Sequence, residues 1–130
     1  MNQEQYEHAF EVLRNDCRVT GMFQNSDGDT CAIGALLDDM ARQFLSNYDG
    51  MVSRISTLEL ASRLGTDTVI LSNLVRRYYG IDIEDIIAAN DHHSDLHERR
   101  LAVLRAFNKE AAKQGILTKI VRAAEVPATW

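Results

Sequence analysis

The stretch DGDTCAIGALL, residues 27–37, contains the change from turn to helix on which the rest of the fold depends. Asp27 and Gly28 favour a type I′ hairpin turn, in which both central residues take a positive φ. From Thr30 onward, apolar residues recur at the spacing of one helical face. We therefore predict a small hairpin followed by a helix, with Thr30 as the N-cap and Cys31 in the first turn.

The helix that begins there is predicted to be amphipathic, with its two carboxylates exposed. Five apolar side chains follow the i, i+3, i+4, i+7 pattern of a single helical face. They are Ile33, Leu36, Leu37, Met40 and Phe44. Asp38 and Asp39 fall on the opposite face, where we expect them to contact solvent.

The N-terminal stretch is also predicted to form an amphipathic helix. Its apolar face is formed by Tyr6, Ala9, Phe10 and Leu13. Cys17 lies one turn further along the same side, so we expect it to extend this buried face.

Four more helical segments are predicted downstream, of which DIEDIIAAN is either one short helix or a helical turn. They correspond to TLELASRLG, DTVILSNLVRRYYG, DIEDIIAAN and a long stretch that begins after Ser94. A glycine in the C′ position closes the first two, and Gly115 closes the last, for which Ser94 is the expected N-cap. The buried face of this last helix is predicted to consist of Leu96, Val103, Leu104 and Phe107.

The remaining stretches complete a mainly α fold. Residues 116–125 fit either a short edge strand or a final helical turn, and residues 126–130 are expected to form a flexible tail. Because no internal repeat or low-complexity segment divides the chain, we predict one domain spanning residues 1–130. Its fold is predicted to be a compact bundle of about five to six helices with one small β-hairpin.

Composition restricts the class of protein and its partners. The 130 residues, 45% hydrophobic and 25% charged, are typical of one globular domain with its own core. A net charge of −5 argues against broad attraction to nucleic acid or anionic lipid. The sequence has neither a signal-peptide pattern nor an apolar run of about 18 residues. We predict a cytoplasmic protein in which Cys17 and Cys31 are free thiols.

One arrangement of residues would support covalent catalysis. A cysteine in the first turn of a helix has a lowered pKa, because exposed N–H groups stabilise its thiolate. Cys31 would then be the nucleophile of a cysteine-dependent hydrolase or transferase, with His92 or His93 as the base and Asn90 or Asp91 orienting it. The alternative, which we favour, is that Cys31 packs as a small hydrophobe.

Metal binding is not supported by ligand spacing. When Gly28 is aligned with position 6 of a calcium-binding EF-hand loop, Phe23 and Gly34 occupy positions 1 and 12, where neither offers a side-chain oxygen. Cys17 and Cys31 lack the close spacing of zinc-binding cysteine pairs. We expect no metal and no cofactor.

A helix-turn-helix over residues 57–79 is the strongest alternative function. Gly65 stands at the turn, and residues 67–79 would form the recognition helix. The first turns of that helix are apolar and acidic, and only Arg76 and Arg77 could contact phosphate. We therefore expect the helical geometry without nucleic-acid binding.

Two short motifs carry a resemblance to other proteins. The first consists of Cys31, Gly34, Ala35 and Leu36 after the Asp-Gly turn, and the second of Ile86, Ile87, Asn90 and Asp91. In these motifs the chain resembles, over roughly residues 5–107, a loosely defined group of small uncharacterised proteins from bacteriophages and actinobacteria. It departs from them where many have tryptophan, at Asp16 and Ala89. The resemblance implies a phage or mobile-element origin and no particular chemistry.

The glycine at position 34 connects these motifs. Gly34 lies one turn after Cys31, and a helical glycine there is useful if another backbone packs close to it. We predict that the break ANDHH provides that backbone and that Asn90 or Asp91 caps the helix. These four residues would form one junction beside a binding groove. The predicted function is that of a phage-encoded or phage-derived accessory protein that binds a host protein or small ligand without catalysis and without contacting a membrane.

Overall fold

The computed structural model describes residues 1–49 and 68–129, and five α-helices make up most of that part of the chain. They are α1 (Gln3–Asn15), α2 (Ala32–Asp49), α3 (Thr68–Tyr79), α4 (Glu84–Asp91) and α5 (Leu96–Lys113), and a 3₁₀ turn follows at Ala123–Glu125. The predicted mainly helical fold is confirmed. The helix predicted over residues 57–65 lies outside the described residues.

Helix α1 forms as its sequence predicts. Asn2 is its N-cap, and a capping box joins it to Gln5, because each side chain accepts a hydrogen bond from the backbone N–H of the other. The predicted apolar face is buried in full. Cys17 is also buried, but it lies beyond the end of the helix with φ +62°.

The connection between α1 and α2 differs from the predicted hairpin. Gly28 has φ +85°, but Asp27 does not have a positive φ, so the turn is not type I′. The loop is one residue longer, because Asn25 N–H donates to Asp29 O and Gly28 N–H donates to Asn25 O. Among the described residues, this region contains a single antiparallel bridge, between Gln24 and Thr30, and no β-strand.

Helix α2 lies at the centre of the fold, which corrects the prediction for its carboxylates. It packs against α1, α3 and α4. Asp38 and Asp39 are only 1% and 4% exposed, so they do not form a solvated face. Asp39 instead accepts hydrogen bonds from Tyr79 Oη at 2.6 Å and Gln43 Nε2 at 2.8 Å. At Phe44, also predicted on the apolar face, the structure describes the helical backbone but not the side chain.

Helix α5 packs against α1 and α4 and carries the predicted apolar face. Its N-cap is Asp95, whose Oδ2 accepts from Glu98 N–H at 2.9 Å, so the prediction of Ser94 is wrong by one residue. Gly115 follows the helix with φ +75°, as expected of a glycine that terminates a helix.

The C-terminal segment, residues 116–125, is neither a ladder-forming strand nor a helix over most of its length. Only Ala123–Glu125 forms a 3₁₀ turn. In the tail that follows, Val126 is buried, and Arg100 donates hydrogen bonds to the carbonyls of Pro127 and Thr129. Among the described residues, no helix has the length and apolar character needed to span a membrane.

Candidate functional site

The structure brings Cys31, Gly34 and Asn90 close to the N-terminus of α2, but not with all the contacts that we predicted. The helix begins at Ala32, so Cys31 and not Thr30 occupies the N-cap position. Gly34 N–H donates to Cys31 Sγ at 3.3 Å, and Ala32 N–H donates to Asn90 Oδ1 at 3.0 Å. Both contacts satisfy N–H groups that have no partner within the helix.

Asn90 uses both ends of its side chain. Its Nδ2 donates to Val19 O and to Asp91 Oδ1, each at 3.0 Å. Asp91 Oδ1 also accepts from Gly21 N–H at 3.2 Å. Asn90 and Asp91 thus tie the end of α4 to the loop before α2, and the amide of Asn90 is buried with its hydrogen bonds satisfied.

Gly34 has no room for a side chain, but its neighbour is not the one we predicted. A Cβ at this position would overlap Phe23 O, and it would lie 3.0 Å from Phe23 C and 3.2 Å from Thr30 Cβ. The close backbone is therefore that of the loop before α2, not the ANDHH break. The same Phe23 carbonyl accepts from Cys31 N–H at 3.1 Å, so it is fixed in place.

The structure does not bring together the predicted catalytic arrangement of Cys31 with His92 or His93. Cys31 is buried, and burial raises the pKa of its thiol, with the Gly34 N–H opposing that rise in part. The pKa of the fully buried Cys17 thiol is raised for the same main reason. His92 and His93 are exposed, and no hydrogen bond joins either imidazole to Cys31 in the described part of the chain. A buried thiol with a raised pKa is a poor nucleophile.

The best-placed metal-ligand group in the described residues is Asp95, His97 and Glu98. One ligand atom from each lies within 4.8 Å of the others. The carboxylate of Asp95 already caps α5, and the positive end of that helix dipole disfavours a cation there. His97 Nε2 is hydrogen bonded to Ala123 O at 2.9 Å. We assign this group a structural role.

Helix α3 has the predicted recognition-helix length, with Leu71 and Val75 buried. Arg76 and Arg77 are exposed, but they lie in its last turn. Recognition helices place their N-terminal residues against the bases. The helix that would precede α3 in a helix-turn-helix lies outside the described residues.

Sequence reasoning did not identify two adjacent buried arginines, Arg99 and Arg100. Arg99 donates to the carbonyls of Cys17, His93 and Ser94, and Arg100 donates to those of Asn15 and Asp16 in addition to the tail. Burial lowers the pKa of Arg100. A signal was available, because position 100 falls on the same helical stripe as Leu96, Val103, Leu104 and Phe107. Arg99 joins the segment after α1 to the loop before α5, and Arg100 joins the end of α1 to the C-terminal tail.

The described part of the chain also contains an open groove of about 660 Å³, which we call the α1 groove. It is lined by Phe10, Glu11 and Arg14 of α1 and by Lys119, Ile120, Arg122 and Glu125 of the C-terminal segment. Sequence reasoning did not find this groove, because no local motif marks where the C-terminal segment packs.

Of the basic side chains in the α1 groove, Arg14 is held by hydrogen bonds, whereas Lys119 and Arg122 are only weakly paired. Arg14 is held by Glu11 Oε2 at 2.8 Å and by Glu125 O at 2.8 Å. Lys119 Nζ is 3.9 Å from Glu11 and lies 5.5 Å above the Phe10 ring. Arg122 is 3.8 Å from Glu125 and is largely exposed. Such exposed pairs contribute little free energy, so an incoming carboxylate can compete for Lys119 and Arg122.

Two large apolar side chains of the C-terminal segment point into solvent. Leu117 is 81% exposed and Ile120 is 73% exposed, the two highest values for large apolar residues among those described. Single exposed apolar residues are common, but Ile120 also lines the α1 groove, whereas Leu117 does not. Ile120 therefore offers an apolar contact at the groove that a partner could cover.

No protein-family model, curated protein or solved structure matches this chain. The function must therefore be argued from the geometry of the chain itself.

Proposed function

We propose that the protein acts by binding a segment of another protein in the α1 groove, without catalysis. The observation that carries this proposal is the 73% exposure of Ile120 in the lining of the groove. Ile120 and Phe10 are the apolar residues of that lining, and an apolar centre inside a charged rim is typical of interaction sites. The buried ring of Phe10 supplies the floor against which a partner's side chain could pack.

A protein segment suits this groove better than the predicted alternative, a small ligand. Small-molecule sites enclose most of the ligand surface in a concave, mainly apolar pocket. The α1 groove is open, and five of its seven lining residues carry charged side chains, of both signs. Apolar centres with a charged, solvent-accessible rim are the usual anatomy of protein interfaces.

The other two predicted functions have less support. Among the described residues, no histidine is hydrogen-bonded to the proposed nucleophile Cys31. The DNA-binding hypothesis has its two arginines in the last turn of α3, the end less suited to base contact. The resemblance implies a phage-encoded or phage-derived accessory protein. We keep the phage origin as part of the proposal. The bound segment would then belong to a protein of the bacterial host.

Selection from a random peptide library tests this proposal. The wild-type protein should enrich peptides that bind. The Ile120→Asp variant should no longer bind these peptides, because it places a charge in the apolar part of the groove lining. Met22→Asp is the matched control, since Met22 is 53% exposed but does not line the groove. Peptides that bind Ile120→Asp as well as wild type, or a selection that enriches none, would contradict the proposal.

A further inference from the structure

We propose that the C-terminal segment is an open strand edge, and that an extended acidic peptide binds by adding a strand to it. This inference rests on the proposed function and deepens it, because it assigns both the geometry and the chemistry of the occupant. Strand addition is a known mode of peptide recognition, in which backbone hydrogen bonds supply affinity and side chains supply specificity.

Side chains hold one edge of this segment as a neighbouring strand would. The amide of Gln3 binds both backbone groups of Leu117, donating to its C=O at 2.8 Å and accepting from its N–H at 3.2 Å. Two residues later, Lys119 N–H donates to Tyr6 Oη at 2.7 Å, and Asn108 Nδ2 donates to Lys119 O at 2.7 Å. Engagement of both backbone groups at every second residue is the pattern of an extended strand.

The opposite edge is open. In an extended chain, the N–H and C=O of successive residues point to alternate sides. The backbone groups of Thr118 and Ile120 therefore face away from Gln3, Tyr6 and Asn108. Neither residue has a backbone hydrogen-bond partner within the described parts of the chain. An unpaired edge of this kind is a template for pairing with another chain.

Charge identifies the class of peptide. Lys119 and Arg122 are the basic residues of the segment, and each has only a long, exposed contact with a carboxylate, at 3.9 Å from Glu11 and 3.8 Å from Glu125. Side chains directly opposite each other on paired strands interact, and opposite charges there are favourable. A peptide that alternates apolar and acidic residues would place an apolar side chain opposite Ile120 and a carboxylate opposite Lys119.

The same charges disfavour a second copy of this chain as the occupant. A two-fold antiparallel pairing of the open edge would match Thr118 of one copy with Ile120 of the other. It would then place the two Lys119 side chains opposite each other, and like charges in that position are destabilising. An acidic peptide has no such conflict.

Fluorescence anisotropy with synthetic peptides tests the inference. The probe is a labelled peptide of five Glu-Val repeats. One control peptide has its central amide nitrogens methylated, which removes the N–H donors, and another has lysine in place of glutamate. We expect the Glu-Val peptide to bind, with an affinity that falls as salt is added, and we expect methylation to weaken binding by about tenfold or more.

Protein variants test the open edge directly. Ile120→Pro removes the outward N–H, whereas Ile120→Ala shortens the same exposed side chain and keeps the N–H. We expect the proline variant to bind the Glu-Val peptide several-fold more weakly than the alanine variant. Circular dichroism checks that both remain folded. If the proline variant does not fold, the methylated peptide still decides the result.

The outcomes separate this inference from the proposed function. Equal binding of the methylated and parent peptides would overturn strand addition, and equal binding of the lysine peptide would overturn the acidic class. If library peptides bind the groove but the Glu-Val peptide does not, the inference fails while the proposed function stands. Self-association of the wild-type protein in sedimentation, lost in Ile120→Pro, would identify a second copy as the occupant and contradict the inference.

Discussion

Gly34 is the residue at which packing and helix propensity make opposite predictions. Alanine is favoured over glycine inside a helix by about 1 kcal/mol. At this position, however, its methyl group would overlap the Phe23 carbonyl, which is itself hydrogen bonded to Cys31 N–H. We expect Gly34→Ala to lower the free energy of unfolding by about 1–3 kcal/mol, as overpacking does. Urea denaturation measures this change. A stabilised variant would show that the Phe23 loop yields to the methyl group at no net cost.

The reactivity of the Cys31 thiol is also determined by its surroundings. Because it is buried and its pKa is raised, we expect neither Cys31 nor Cys17 to react with a maleimide at neutral pH until the protein is unfolded. Rapid labelling of the native protein, with a midpoint well below the free-thiol pKa of about 8.5, would instead favour the catalytic interpretation.

The N-cap position of Cys31 also changes what a substitution should do. From the sequence alone, Cys31→Ser is expected to cost about 1–3 kcal/mol, because it buries a hydroxyl. The Gly34 N–H supplies a hydrogen-bond partner, so we now expect serine to be tolerated and Cys31→Ala to lose about 1 kcal/mol of capping energy. Equal losses in the two variants would show that the cap contributes nothing.

At the scale of elements, a buried polar contact joins α2 to α3. Tyr79 Oη donates its one proton to Asp39 Oδ2 at 2.6 Å and lies 3.2 Å from Leu36 O. Burial, together with the Asp39 carboxylate, raises the pKa of Tyr79. We expect Tyr79→Phe to lower the free energy of unfolding by about 1–3 kcal/mol, because a buried acceptor loses its donor. Thermal denaturation at pH 7 measures this loss.

Tyr78→Phe is the matched control for that substitution. The Tyr78 hydroxyl also makes a hydrogen bond, to Gln43 Oε1 at 2.7 Å, but the side chain is only half-buried. We therefore expect a smaller loss. A Tyr79 variant that is no less stable than the Tyr78 variant would contradict the role given to the buried pair.

Helix α3 carries the prediction about nucleic acid. Phosphate contacts dominate affinity for DNA, and α3 offers only Arg76 and Arg77, in its last turn. We expect duplex DNA to bind no more tightly than non-specific complexes, with Kd roughly 10⁻⁴ to 10⁻⁶ M at physiological salt. A nanomolar complex whose salt dependence falls when both arginines are changed to alanine would overturn this ranking.

The elements also show which features a sequence can reveal. The faces of α1 and α5 were predictable because one apolar stripe meets one partner surface. In α2, Asp38 and Asp39 were misplaced because partners surround that helix on several sides, which a single stripe does not indicate. The near-absence of other polar residues from Ala32 to Ala41 is the signal that was missed, since a helix that is apolar all round is buried.

At the scale of the whole molecule, long-range contacts limited what could be foreseen. The sequence could indicate that Asn90 caps a helix N-terminus, because amide side chains are suited to accepting from free N–H groups, and in the structure it accepts from Ala32 N–H of α2. The α1 groove was not, because it depends on Gln3, Tyr6 and Asn108 holding a C-terminal segment more than a hundred residues from α1 in sequence. No local pattern reports such a contact.

The location of the binding surface is the central claim, and amide chemical shifts test it most directly. Titrating the ¹⁵N-labelled protein with a library-selected peptide should shift the amides of residues 117–122 together with those of Phe10 and Arg14, which line the α1 groove. Changes centred on α3, or on the junction around Cys31 and Asn90, would place the binding surface elsewhere and contradict the account.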